Sequence, residues 1–164
     1  MVIAVLTAIT IISRAIFCMI PNMKPVAAMI IIIAVCLGPE TGFLVGCLSM
    51  LLSNIFFGQG PWTPFQMLAF GLVGLIAALL KEPLKKSKLF LLVFGAVSGF
   101  LLSAVMDVWT VIWYNGGFDV KLYFAAFITA LPHTLLYVVS NVVFLYFMSK
   151  PFGEKLERIK IKFL

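Results

Sequence analysis

The chain is a succession of apolar runs broken by short polar or proline-glycine stretches, and their spacing predicts six helical spans. The first run covers about residues 2–20 and stops at Pro21. The second, about 25–37, has proline at its first turn and Gly38-Pro39 after its end, which is helix punctuation. The third, about 41–57, ends in the breaker Gly58-Gln59-Gly60-Pro61, and the fourth covers about 64–80. The fifth runs over about 88–114 to Asn115-Gly116-Gly117, and the sixth over about 122–149 to Lys150-Pro151. Spans two to four are short for a bilayer that asks for about 20 residues. Spans five and six are long enough to tilt. Lipid offers the backbone no partners, so runs of this kind must be helical. No soluble domain, low-complexity linker or clear repeat interrupts them, so 1–164 reads as one membrane domain.

Composition agrees with the runs. Hydrophobic residues make up 63% of the chain and charged residues 11%, with mean hydropathy +1.18. A soluble domain is nearer half apolar and a quarter charged, and it must still clothe its surface with polar groups. The fold class expected is therefore an all-α membrane protein, a six-transmembrane-helix bundle in the cell membrane.

Charge placement sets the expected orientation. Nine of the twelve lysines and arginines lie in the 81–88 loop or at Lys150 and beyond, while the opposite loops hold only Lys24 and Lys121. Basic loops stay cytoplasmic, which puts both termini inside and makes 150–164 a basic cytoplasmic tail. The net charge of +6 is thus a topology signal. Nucleic-acid binding would need a basic soluble face, whereas this tail can touch anionic lipid or a partner. The first run lacks the basic start and small-x-small site of a signal peptide and carries Arg14, so any leader is expected to be minimal. Cys18, Cys36 and Cys47 form no metal-spaced pair and read as apolar fillers.

Charges inside a span cost at least about 2.5 to 3.5 kcal/mol each on insertion scales. Two stand out, Arg14 and Asp107. Both are placed about 9 to 10 Å below the outer surface at 1.5 Å rise per residue. Equal depth and opposite sign leave two readings, an ion pair that fixes packing or a shared ligand. His133 falls near mid-depth of span six with Thr129, Tyr137 and Ser140 on its helical face; packing and ligand contact both remain open. Asn54 is placed for a ligand, and Asn141 to bridge helices. Span one has a polar side, Thr7, Thr10 and Arg14, and an alanine side, Ala4, Ala8 and Ala15. The polar side is expected to point into the bundle, and the smooth side lets another helix approach.

The outer loops carry the remaining chemistry. They supply Asn22 and Lys24 between spans one and two, and Gln59, Trp62 and Gln66 between three and four. This mix of amides and aromatic surface suits a largely uncharged ligand with polar edges. Trp109 and Trp113 read as an aromatic belt at the membrane surface. There is no phosphate-cradling loop with lysine, no metal-binding His/Asp set and no nucleophile-base pair. Neither an enzyme nor an ATP-powered chain is indicated, and no cofactor or metal is expected. Two halves suited to rocking transport are not evident either.

At this point wording takes over from composition. Ile20-Pro21-Asn22-Met23-Lys24-Pro25, Gly38-Pro39-Glu40-Thr41-Gly42-Phe43 and Asn54-Ile55-Phe56-Phe57-Gly58-Gln59-Gly60-Pro61-Trp62-Thr63-Pro64-Phe65-Gln66-Met67 resemble the substrate-binding S components of energy-coupling factor (ECF) vitamin transporters. The subgroup they look like includes proposed cobalamin carriers. The resemblance spans essentially the whole chain. It implies a six-helix bundle with a vitamin pocket near the outer surface, closed by the loop after helix one. It implies partners too: a transmembrane coupling protein and two cytoplasmic ATPases. Ala4 and Ala8 match the small-xxx-small motif by which helix one docks on the coupling protein. The resemblance also implies toppling within the membrane. Arg14 and Lys24 depart from it by placing cations near the mouth, which leaves an anionic ligand open beside cobalamin. Two other classes stay in view, a non-transport assembly protein and a stand-alone small permease.

Overall fold

A computed structural model describes residues 1–20 and 23–163, without the side chain of Phe163. Among these residues the chain forms seven helices: α1 (Val2–Ile16), α2 (Val26–Leu37), α3 (Pro39–Phe57), α4 (Thr63–Leu79), α5 (Lys81–Lys86), α6 (Lys88–Asn115) and α7 (Val120–Phe163). Three of them, α3, α6 and α7, are long and apolar enough to cross a membrane; α1, α2 and α4 are shorter apolar helices. The fold is that of an all-helical, multi-pass membrane protein.

The centre of the bundle follows from one sequence. Val26–Leu37 reads VAAMIIIIAVCL and has no polar face to turn outward. A helix that is apolar all round is buried all round, and every residue from Val26 to Cys36 is buried. It packs against α7, α4, α3 and α1. Gly38, at φ +104°, turns the chain straight into α3, whose first residue is Pro39.

Two seams need glycine because backbones touch there. A Cβ at Gly46 of α3 would stand 2.5 Å from the Phe70 carbonyl oxygen of α4. A Cβ at Gly99 of α6 would stand 2.9 Å from the Val138 nitrogen of α7. Gly42 with Gly46 on α3, and Gly95 with Gly99 on α6, thus line internal seams. The alanines of α1 differ: Ala4, Ala8 and Ala15 are exposed, while Thr7 and Thr10 are buried.

Two expectations are corrected. Lys150-Pro151 does not end the last helix; α7 runs through both Pro132 and Pro151. Phe152, Leu156 and Ile159 recur at helical spacing and pack on the core, with Leu156 only 1% exposed. That stripe holds the extension in place despite the backbone hydrogen bond each proline removes. The 150–164 stretch is therefore an amphipathic helix as far as Phe163, rather than a tail. The 81–88 loop likewise contains a short helix, α5, pinned by buried Leu84. Lys85 of α5 meets Glu157 of α7 at 2.5 Å.

Candidate functional site

Arg14 sits near the end of α1, on the side that faces α3. Its guanidinium donates to the Ser53 hydroxyl and, at 2.9 Å, to Asn54 Oδ1, and it approaches Met50 Sδ at 3.8 Å. The Phe57 ring lies 5.1 Å below its central carbon. A cation in an apolar bundle needs such partners, because each unmet donor keeps its desolvation cost. These acceptors are neutral. Arg14 makes no ion pair with Asp107; among the described residues the salt bridge is Lys85–Glu157. Matching depth on two helices does not fix the angle around the bundle: among the described residues α1 packs on α3 and α2, not on α6.

Asn54 passes the interaction on. Its amide donates to Thr63 Oγ1 at 3.0 Å and to Gln66 Oε1 at 2.7 Å, both on α4. Thr63 in turn donates to Gln59 Oε1 at 3.3 Å. Asn54 is 1% exposed and Thr63 3%, so the middle of the relay is closed to solvent, while Gln59 at its end is exposed. Gly58, at φ +113°, ends α3 and lets the loop fold back to present Gln59 and Thr63 to it.

Beside the relay lies a small cavity of about 30 Å³. Arg14, Lys24, Gln66, Phe70, Tyr137 and Asn141 are among its walls. Lys24 is fastened to α7 by a reciprocal pair: its N–H donates to Ser140 Oγ at 3.0 Å, and that hydroxyl donates to the Lys24 carbonyl at 3.1 Å. Burial, and then the neighbouring Arg14 charge, push the Lys24 ammonium below its ordinary pKa. Asn141 bridges helices, as expected, by donating to Gly95 O at 3.1 Å and Ser98 Oγ at 3.0 Å on α6.

The structure thus gathers Arg14, Lys24, Asn54, Gln59 and Gln66 with Tyr137, read from the sequence only as a face-mate of His133, and adds Ser53 and Thr63, which sequence reasoning did not select. Ser53 and Thr63 were legible only as neighbours of Asn54 and Pro64. Other expected residues lie elsewhere. Asn22 is outside the described residues. Trp62 packs edge-on to Trp109 at 6.0 Å, and Trp109 stacks on Trp113 at 6.0 Å, so the three indoles form one aromatic ladder. Asp107 is buried next to Ser103, with Oδ2 lacking a hydrogen-bond partner among the described residues. His133 is on an exposed side of α7 and does not line the cavity. Among the described residues no group of three or more His, Cys, Asp or Glu could hold a metal ion.

The structure thus sets a polar network around a half-buried cation in an all-helical membrane bundle. Residues 1–152 match the family described as the ECF-type riboflavin transporter, S component. The chain belongs to that family, a family of transporter components rather than enzymes. A UPF0397 protein of Vibrio atlanticus (strain LGP32) is 30% identical over 142 residues, covering 79% of this chain and 75% of that protein. A UPF0397 protein of Aliivibrio fischeri (strain MJ11) is 32% identical over 99 residues, covering 52% of this chain and 54% of that protein. No solved structure matches the chain. The protein is accordingly a membrane substrate-binding component of an ECF importer.

Proposed function

We propose that the chain captures a flat, polar-edged vitamin of the riboflavin class at the outer face of the membrane, through Arg14, Lys24, Asn54 and Gln66. In this reading the apolar helices α1, α2, α3, α4, α6 and α7 are six spans, and both termini are cytoplasmic. Gln59 forms the rim. The observation that carries the reading is a cation, Arg14, held at the cavity by acceptors that, among the described residues, are all neutral. Its charge stays available to a ligand's acceptor edge, and Phe70 and Tyr137 offer ring faces beside it.

The family's description names riboflavin; cobalamin, suggested by the opening wording, is far bulkier. A cavity of about 30 Å³ has room for a water, whereas small-molecule sites run to about 300 to 1,000 Å³. Loading therefore means opening, and the Lys24–Ser140 pair is the contact that must part. Energy comes from a coupling protein and two cytoplasmic ATPases. The exposed Ala4 and Ala8 give the coupling protein a face of close approach. Ala8→Trp should leave melting unchanged and weaken co-purification with that partner.

The test is calorimetry of the purified chain against riboflavin and cobalamin, after mass spectrometry of co-purifying small molecules. Riboflavin should bind without ATP, and Arg14→Gln should weaken it about 10- to 150-fold, the value of a charge-assisted hydrogen bond. A folded protein that ignores the panel would instead favour an assembly role.

A further inference from the structure

A second, roomier cavity lies away from Arg14. It has a volume of about 560 Å³ and runs between α2, α5, α6 and α7. Along α7 its centre at Gly153 is 16 residues from Tyr137, about 24 Å at helical rise. The floor is apolar, with Ile32, Leu84 and Leu91 buried. The rim is cationic: Lys85, Lys88, Lys150 and Arg158 outnumber Glu154 and Glu157. Glu157 is already taken by Lys85. Lys88, Lys150 and Arg158 then face a single further acid. Lys88 keeps its ammonium 3.7 Å over the Tyr146 ring.

We propose that this groove is a binding site for one anionic phospholipid, with the headgroup phosphate between Lys88, Lys150 and Arg158 and the start of an acyl chain over Ile32 and Leu91. A soluble anion would need the cations and no use would remain for the apolar floor. A neutral lipid would use the floor and leave the cations unmatched. The surface beyond the rim is also suited to lipid: Leu89, Val93 and Phe147, within two turns of Lys88 or Lys150, are at least 50% exposed. A cationic pocket between helices at the membrane boundary is a recognised setting for acidic headgroups. Gly153 keeps the groove open, since a Cβ there would meet only Ile32 Cγ2, at 3.8 Å. The site is separate from the Arg14 cavity, so it stands whichever vitamin the protein carries.

The experiment is native mass spectrometry of the full chain in mild detergent, titrated with phosphatidylglycerol, with phosphatidylcholine of the same acyl chains, and with glycerol phosphate. One phosphatidylglycerol should be retained, about tenfold in preference to phosphatidylcholine, while glycerol phosphate is lost. Gly153→Leu should fill the groove and abolish that preference. Lys88→Gln with Lys150→Gln should abolish it as well, on exposed side chains that leave the core intact, so the test does not depend on Gly153→Leu folding. Equal retention of both lipids overturns the proposal, as does a preference the lysine pair does not change. Tight binding of glycerol phosphate alone would make it a soluble-anion site. If the lysine variants keep their lipid preference and instead lose the coupling protein, the groove is a protein interface.

Discussion

Asn54→Ala is the substitution on which the account of the polar relay turns. The side chain makes three hydrogen bonds, one from Arg14 at 2.9 Å and two to Gln66 and Thr63 at 2.7 and 3.0 Å. A bond to a charged group contributes about 1.5 to 3 kcal/mol and a neutral one about 0.5 to 1.5. Measured couplings between membrane helices fall lower, averaging about 0.6 and reaching about 1.7 kcal/mol. Taking the low end of the first range for Arg14 and the membrane average for the other two gives about 2.7 kcal/mol. The volume lost is small, so unmet polar groups dominate. For a chain of this size the melting temperature should fall by roughly 5 to 11 °C, read from thermal unfolding in detergent without ligand. Asn141→Ala, which loses two neutral bonds to α6, should cost less. Equal losses for the two, or a shift under about 1 °C for Asn54→Ala, would refute the claim that Arg14 is stabilised by this relay.

Two further outcomes follow from packing and charge. Gly46→Ala forces α3 away from the Phe70 carbonyl and should destabilise by about 1 to 3 kcal/mol, whereas Gly153→Ala, with open space around it, should be nearly neutral in the same melt. Lys85 holds the Glu157 carboxyl below its ordinary pKa, and Glu157 holds the Lys85 ammonium above its own. The pair's contribution is therefore full at neutral pH, lost as acid passes below the usual glutamate range, and lost again as alkali passes above the usual lysine range. With side chains 41% and 42% exposed, it is worth at most about 1 kcal/mol. Melting of wild type and Glu157→Gln should converge below about pH 4; a gap that does not change with pH would contradict it.

The sequence was most informative where a whole helix carried one message. The unbroken apolar run from Val26 marked the central helix, and the alternation of Thr7 and Thr10 with Ala4 and Ala8 separated the inner from the outer face of α1. Depth along each helix was legible because rise per residue is constant. Rotation around the bundle is not, so equal depth left Arg14 and Asp107 as an ion pair or as two contacts of one ligand, whereas the partners of Arg14 are Ser53 and Asn54. The extension of α7 was hidden behind Pro151. Charge drew attention to the lysines, while the weaker 152, 156 and 159 stripe decided the conformation. Residues such as Thr63 and Ser53 carry no signal alone, since a hydroxyl gains its meaning from the amide across from it.

The unbroken course of α7 has a mechanical side. Ser140, which holds the Lys24 backbone, and Glu157, which holds α5, are on the same rod. Seventeen residues separate them, an arm of about 25 Å. Tilting that arm by about 10° carries its far end through about 4 Å, more than enough to break a hydrogen bond. A stiff helix fastened at both points makes release at one end a displacement at the other, like a seesaw with a latch on each side. Such leverage needs no relay of side chains through the core, only that the rod stay rigid between Ser140 and Glu157, and Pro151 is the position at which that rigidity would give way first.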